Sequence, residues 1–241
     1  MLLTNSRKRF LLKMIREAMI PYEHPGEEWS VDEKEFLPFF LTSLKPNSLI
    51  LDLAGGYGRV TPWLIGKGNH VVLADLSIHS LRLAKKTLKG KDVDLVRLDM
   101  LNLPFRKNLF DAVWFTQAFE YVPPDLRECF LRNLNEVLKE NGILFVNVAH
   151  VPGECSLFSY FKNYIYWKLI KRQPIKLGDY IYKLSLENRE VWHYHSVVFT
   201  RRIERTFRRS GFRILKFRNY GKNEYLTYLL KAKHKKGGGS G

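Results

Sequence analysis

The chain has 241 residues, 45% of them hydrophobic and 14% aromatic, with 40 Lys and Arg against 24 Asp and Glu for a formal net charge of +16. That apolar content excludes a disordered polybasic protein, and no stretch approaches the ~18 uninterrupted apolar residues of a membrane span. Cys129 and Cys155 are its only cysteines, which excludes a four-thiolate zinc scaffold and points to a reducing, cytoplasmic setting. Arg7, Lys8, Arg9 and Lys13 interrupt the first apolar run and speak against a secretory leader. The charge is lopsided. Up to residue 155 there are 20 Lys and Arg against 19 Asp and Glu, and beyond it 20 against 5.

Residues 6–20 place Phe10, Leu11, Met14, Ile15 and Ala18 on one stripe, an amphipathic helix with a basic outer face. An acidic connector with Tyr22, Pro25-Gly26 and Trp29 follows, and Phe36–Leu44 reads as a short apolar helix ending before Pro46; residues 1–44 thus read as a helical cap. Strand candidates then alternate with helices: Leu49–Leu53, Val71–Ala74, Val93–Leu98, Ala112–Phe115 and Ile143–Val148, with helices near 58–67, 77–89 and 125–140. Such alternation with Val/Ile/Leu-rich strands predicts an α/β fold with a doubly wound, mostly parallel sheet, its core spanning 45–150. A helix at 201–209 and strands near Phe212–Phe217 and Tyr225–Leu230 bring the sheet to seven strands within 201–236. Residues 151–200 break the alternation. They interleave aromatics with Lys162, Lys168, Lys171 and Arg172, an insertion with a helical cap and then a hairpin or loop. The closing Gly237–Gly241 reads as an added linker.

The first strand runs into Asp52-Leu53-Ala54-Gly55-Gly56-Tyr57-Gly58, where glycines let the backbone turn tightly and approach a ligand. Asp75-Leu76 closes the second strand about 20 residues on, where a carboxylate can take both hydroxyls of a ribose. Asp99-Met100 closes the third, suited to an adenine amino group and ring. This ordered set, with Leu103-Pro104-Phe105, Phe110-Asp111-Ala112-Val113 and Glu136 to Gly142, resembles the class I S-adenosylmethionine-dependent methyltransferases over roughly residues 45–150. Ala54 stands where the family loop has its first glycine. The resemblance implies a Rossmann-like methyltransferase fold with S-adenosylmethionine as cofactor and no metal. It assigns Asp52, Ala54, Gly55, Gly56 and Gly58 to the methionine part, Asp75 and Leu76 to ribose, Asp99 and Met100 to adenine, and Thr116-Gln117 to the fourth strand's end. Asp111 reads as orienting a turn, and Cys129 as packed in mid-helix.

The acceptor end begins at Thr116-Gln117-Ala118-Phe119-Glu120-Tyr121. Thr116 and Phe119 partly resemble the outer positions of the Asn/Asp/Ser-Pro-Pro-Tyr/Phe motif of methylases that modify exocyclic base amines. Small-molecule methyltransferases also carry Phe-Glu-Tyr-like residues there, and Glu120 could accept a proton. Gly178-Asp179 and the Trp-His-Tyr-His run with His193 and His195 resemble the tRNA wobble-uridine methyltransferases in part, and either histidine could act near neutral pH. Two acceptor classes follow. The basic rear, with Lys162, Lys168, Lys171, Arg172, Arg201, Arg202, Arg205 and Arg209, suits RNA (rRNA or tRNA, with a lean to an exocyclic amine), and nothing singles out DNA. Alternatively, residues 156–172 have the aromatic-plus-Lys makeup of an interfacial helix, joined by helix 6–20, suited to a small-molecule or lipid-like acceptor at an anionic membrane.

Overall fold

The computed structural model describes residues 5–19, 30–149, 157–186, 189–196, 200–220 and 225–234. The apolar runs become strands β1 (Leu49–Leu53), β2 (His70–Asp75), β3 (Val93–Arg97), β4 (Phe110–Phe115) and β5 (Leu138–Ala149). β1, β2 and β4 are almost wholly buried, whereas β3 lies at the sheet edge and is half exposed. β8 (Phe212–Asn219) and β9 (Tyr225–Ala232) complete a seven-stranded sheet in the order β3-β2-β1-β4-β5-β9-β8. The first five strands pair in parallel, and β9 runs antiparallel between β5 and β8. The sheet is therefore the seven-stranded, mostly parallel sheet of the Rossmann-like class.

Helices cover both faces. α2 (Val31–Thr42) starts at Ser30, whose backbone N–H donates to the Glu33 carboxylate at 3.1 Å. It lays Phe40 edge-on to Trp114, 5.0 Å between ring centroids, with Trp114 stacked on Phe145 at 3.9 Å. On the other face α5 (Arg127–Val137) and α7 (Thr200–Arg209) bury Phe130 and Phe207 around Phe115. α4 (Ile78–Thr87) covers β2 and β3.

Several boundaries depart from the sequence expectations. The helix expected near 58–67 shrinks to α3 (Thr61–Leu64) and a 3-10 turn at Gly66–Gly68, because Pro62 can only begin a helix and the glycines end it. α5 stops at Val137, not 140. Leu138 swings into extended backbone and pairs with Phe110. Asp111 lies inside β4 rather than at a turn: its carboxylate accepts the Leu49 N–H at 2.9 Å and binds Lys139 at 2.8 Å. Cys129 is exposed, since it falls on the outer side of α5.

The N-terminal helix α1 (Asn5–Met19) buries Leu11, Met14 and Ile15, as its stripe requires. Its basic face is not all outside, however. Arg7 is buried and binds both oxygens of Asp179, at 2.5 and 3.1 Å, and Asp125 at 3.2 Å. The insertion consists of α6 (Leu157–Ile165), a π-helical turn at Tyr166–Ile170 and the hairpin β6 (Asp179–Leu186) and β7 (Arg189–Ser196). Tyr22, Pro25, Gly26, Trp29, Cys155 and the closing 237–241 lie outside the described residues.

Candidate active site

Parallel strands aim their carboxyl ends the same way, and a crevice opens where the strand order reverses, here between β1 and β4. A cavity of about 370 Å³ sits there, lined on one side by Asp52, Ala54, Gly55, Gly56 and Asp75. Thr116, Gln117, Glu120 and Tyr121 line it after β4, and Tyr182, His193 and His195 reach it from the hairpin. Residues far apart in sequence are thus brought to one wall.

The glycine turn explains the first side. The Gly56 N–H donates to the Asp75 carboxylate at 3.0 Å, and Ser77 N–H donates to its other oxygen at 2.7 Å, so Asp75 ties the loop to the start of α4. A Cβ on Gly55 would lie 2.7 Å from Asp52 Cγ, and one on Gly56 would meet nothing within 4 Å, which leaves open space above the loop. Gly56 has φ +58°. Ala54, in place of the family's glycine, has φ +56°, a left-handed conformation that costs a side-chain-bearing residue about 1 kcal/mol. Gly58 is not among the residues lining the cavity. Its missing side chain leaves room for Leu88 and Leu73, which a Cβ would approach to 2.8 and 3.1 Å.

A narrow apolar slot of about 30 Å³ adjoins Asp75, between Leu76, Asp99 and Met100 below and Leu12 and Ile15 of α1 above. The resemblance assigns Asp99 and Met100 to adenine and Leu76 to the neighbouring ribose, and α1 roofs all three. Asp99 also holds its own turn, accepting the Leu101 N–H at 3.0 Å. Behind Gln117, which has φ +50°, runs a buried relay unread in the sequence. The Gln117 N–H donates to Asn147 at 2.7 Å, Asn147 donates to Asp32 at 3.2 Å, and Thr227 donates to the same carboxylate at 2.7 Å. These contacts join α2, β5 and β9, and they fix the turn that presents Thr116 and Gln117.

On the acceptor side, residues 119–121 form one 3-10 turn. That turn sends Glu120 and Tyr121 to the cavity and Phe119 into the core, packed on Phe115, Phe130 and Phe207. Phe119 is therefore a packing residue, and the expectation that it stacks on an acceptor is corrected. Tyr121 OH and His193 Nε2 lie 3.1 Å apart, and His193 Nε2 and His195 Nε2 also 3.1 Å. The hairpin is held over Tyr121 by Ser196, which donates to the Val122 carbonyl at 2.8 Å and accepts from Arg127 at 2.7 Å. Tyr194 adds a 2.8 Å bond to Asp179 beneath Arg7. Tyr182, Tyr225 and Arg59 also line the cavity and were missed, because none lies in a recognisable motif. Arg59 is oriented by a bidentate pair with buried Glu33, at 2.7 and 2.8 Å.

Burial sets the electrostatics. Desolvation pushes the Asp52 carboxyl up to about 7, although Thr61 donates to it at 2.6 Å, and it also raises Asp75. Glu120 is raised to about 7 by burial, and its Oε2 has no hydrogen-bond partner. Burial lowers His193 to about 4 and His195 to about 3, so both rings are neutral at pH 7.

The cations read as RNA contacts stand elsewhere. Lys162, Lys168, Lys171 and Arg172 lie on or just after α6, and Arg201, Arg202, Arg205 and Arg209 on α7; the described side chains among them do not line the cavity, and that of Arg201 lies outside the described ones. α7 ends at the amino-terminal ends of the parallel strands, where Arg209 shares a groove with Lys107, Arg132 and Lys233.

A family model described as a methyltransferase domain matches residues 50–142. Residues 50–142 thus match a methyltransferase domain, and the seven-stranded sheet that carries them has the Rossmann-like methyltransferase fold. The chain is 34% identical over 131 residues to a ubiquinone/menaquinone biosynthesis C-methyltransferase UbiE from Ectopseudomonas mendocina, covering 52% of this chain and 50% of that protein. It is 34% identical over 122 residues to a demethylmenaquinone methyltransferase from Corynebacterium urealyticum, covering 51% and 50%. The chain thus spans about half the length of the curated relatives it matches. An S-adenosylmethionine-dependent methyltransferase structure from Methanosarcina mazei superposes with a TM-score of 0.66 at 18% identity, covering 82% of this chain and 98% of that one. A Pyrococcus horikoshii protein superposes at 0.67 and 19% identity, covering 90% and 98%.

The residues fit the domain's cofactor. Asp52 and Asp75 put buried carboxylates on one side of a cavity whose lining, among the described residues, includes a single guanidinium, Arg59, already paired with Glu33. Such a wall suits a ligand that brings its own cationic sulfonium and ammonium groups, and the open space above Gly56 leaves room for it.

Proposed function

We propose that the protein transfers a methyl group from S-adenosylmethionine to a ring carbon of a small, hydroxylated aromatic acceptor of the quinol type. The observation that carries this reading is the acceptor wall: Tyr121, Tyr182, two neutral imidazoles and the raised carboxyl of Glu120. Aromatic edges suit a flat ring, while the carboxyl and imidazoles suit its hydroxyls. A phosphodiester chain would bring negative charge toward Asp52, Asp75 and Glu120. The names of the curated relatives, which act in quinone biosynthesis, support the same class.

When bound, the cofactor supplies an electrophilic methyl carbon on its sulfonium. The chain's own residues position the acceptor and handle its proton. Glu120 Oε2, with no internal partner, accepts the proton of a ring hydroxyl, and the ring gains the electron density that carbon attack needs. The hydrogen that the methylated carbon sheds as a proton returns to the ring oxygen and restores the aromatic quinol, leaving one net proton on Glu120 to pass to solvent. A carboxyl at about 7 is ionised enough to accept that proton near neutrality and basic enough to hold it. Tyr121, bonded to His193, fixes the far side of the ring.

The test is incubation with methyl-labelled donor and, in parallel, reduced naphthoquinol, reduced benzoquinol, total RNA and a lipid extract. Label in the quinols or extract is expected. Label confined to RNA nucleosides would overturn the reading.

A further inference from the structure

α6 and the π-helical turn after it have two unlike faces. The inner face is anchored: Asn163 and Trp167 both donate to the Ile181 carbonyl of β6, at 2.5 and 3.3 Å, and Trp167 packs edge-on against Trp192 at 5.0 Å. The outer face carries Phe158, Phe161, Ile165, Leu169 and Ile170, which are 77, 52, 49, 67 and 67% exposed. Five large apolar side chains on one helical stretch are more than a solvated helix ordinarily shows. Lys162, Lys168, Lys171 and Arg172 flank them, and all four are exposed. Between residues 157 and 186 the only acidic residue is Asp179, which is buried against Arg7.

A line of aromatic rings leads from this face to the cavity. Phe161 meets Tyr160 with centroids 5.6 Å apart, Tyr160 meets Tyr180 at 6.5 Å, and Tyr180 meets Tyr182 at 5.6 Å. Tyr182 in turn lies 5.1 Å from His193 on the acceptor wall. Tyr160 is held in place because its hydroxyl accepts the Gly178 N–H.

We propose that the outer face of α6 and its π-helical turn seats the protein on an anionic phospholipid surface, and that the aromatic line guides a lipid-soluble acceptor from that surface to the methyl-transfer cavity. This rests on the quinol reading for the identity of the acceptor, but the surface itself is tested without it. Aromatic and aliphatic side chains enter the headgroup boundary while flanking cations meet anionic headgroups. No helix among the described residues is long and apolar enough to cross a membrane, so the contact is peripheral. α1 takes no part through its apolar stripe, because Leu11, Met14 and Ile15 are spent in the core. That corrects the expectation that both helices lie on the membrane together.

The experiment is co-sedimentation of the full chain with vesicles of phosphatidylcholine alone and of phosphatidylcholine with phosphatidylglycerol. Binding is expected to the mixed vesicles and not to pure phosphatidylcholine at physiological salt. Phe158→Ser with Leu169→Ser should weaken it more than tenfold. Lys162→Gln with Lys171→Gln should weaken it roughly 30-fold. These side chains are exposed, so thermal unfolding of each variant should match the parent. Failure to bind the mixed vesicles would overturn the proposal, as would undiminished binding by the Ser variant. Self-association or RNA binding by this face in place of vesicle binding would also overturn it. Vesicle binding with no label in any quinol would leave the surface standing and sink the acceptor reading alone. Finally, the Ser variant should lose turnover on a vesicle-borne quinol while keeping it on a water-soluble short-chain quinol; equal loss on both would refute the guiding role.

Discussion

The two halves of the cavity are built in opposite ways. The donor half comes from strand ends and the turns that leave them: Asp52 with its glycine loop, Asp75, and Asp99-Met100 follow three successive parallel strands. Its geometry is local, since Gly56 and Ser77 both bond Asp75 across a single β1–β2 neighbourhood. The acceptor half is assembled across the chain, with His193 set against Tyr121 and the hairpin pinned through Ser196 to Val122. Charge differs as well. Carboxylates dominate the donor side, whereas neutral imidazoles and phenols dominate the acceptor side.

The largest effect expected from separating the halves is on turnover. Glu120→Gln should lower kcat by about 10³-fold, the range of a lost general base, with donor affinity in calorimetry unchanged. The same variant also reads the buried charge. A carboxyl raised from 4.5 to about 7 favours the folded state most below pH 4.5, and that advantage is lost as pH rises through 7. Glu120→Gln should therefore be more stable than the parent by about 3 kcal/mol at pH 8 in urea unfolding, with the gap closing toward pH 4.5. A gap independent of pH would show that Glu120 is not desolvated in the free protein. His193→Ala should cost about 10²-fold in turnover, again sparing the donor; a matching loss in donor affinity would mean that the halves are not separable.

The clamp between the halves comes next. Arg7→Ala leaves Asp179 buried without its guanidinium and should destabilise the fold by about 3 kcal/mol in the same unfolding measurement. No change would remove α1 from the account of how the hairpin is held. Smallest is Ala54→Gly, which relieves the left-handed strain at φ +56° and should add about 1 kcal/mol of stability. A loss of stability would mean that Ala54's packing on the core outweighs its backbone strain.

This division also explains what the sequence made legible. The donor residues could be read because strand, turn and acid follow one another within a few positions, and buried Val/Ile/Leu runs announce the strands. Even there the glycine spacing does not distinguish Gly58, crowded by Leu88 at φ +82° and off the cavity wall, from the glycines that line it. The acceptor residues were only partly legible. A four-residue motif match could not reveal that a 3-10 turn sends Phe119 inward and Glu120 and Tyr121 outward. The Gln117–Asn147–Asp32 relay spans more than a hundred positions, and nothing in its residue types announces it. The excess of positive charge beyond residue 155 was real, but arithmetic could not distribute it. Among the described residues the fold shares it between α6, α7, β8 and β9, and Lys162, Lys168, Lys171, Arg172, Arg202, Arg205 and Arg209 stand off the cavity wall.

If donor and acceptor are held by separable halves of one cavity, substitutions in one half leave binding to the other intact. The most direct measurement is calorimetric titration of S-adenosylmethionine into the parent, Asp75→Ala and His193→Ala proteins, each confirmed folded by thermal unfolding. Asp75→Ala is expected to lose at least 10²-fold in affinity, with Gly56 and Ser77 left without their shared acceptor, while His193→Ala binds as the parent does. Retained affinity in a folded Asp75→Ala protein, or lost affinity in His193→Ala, would contradict it.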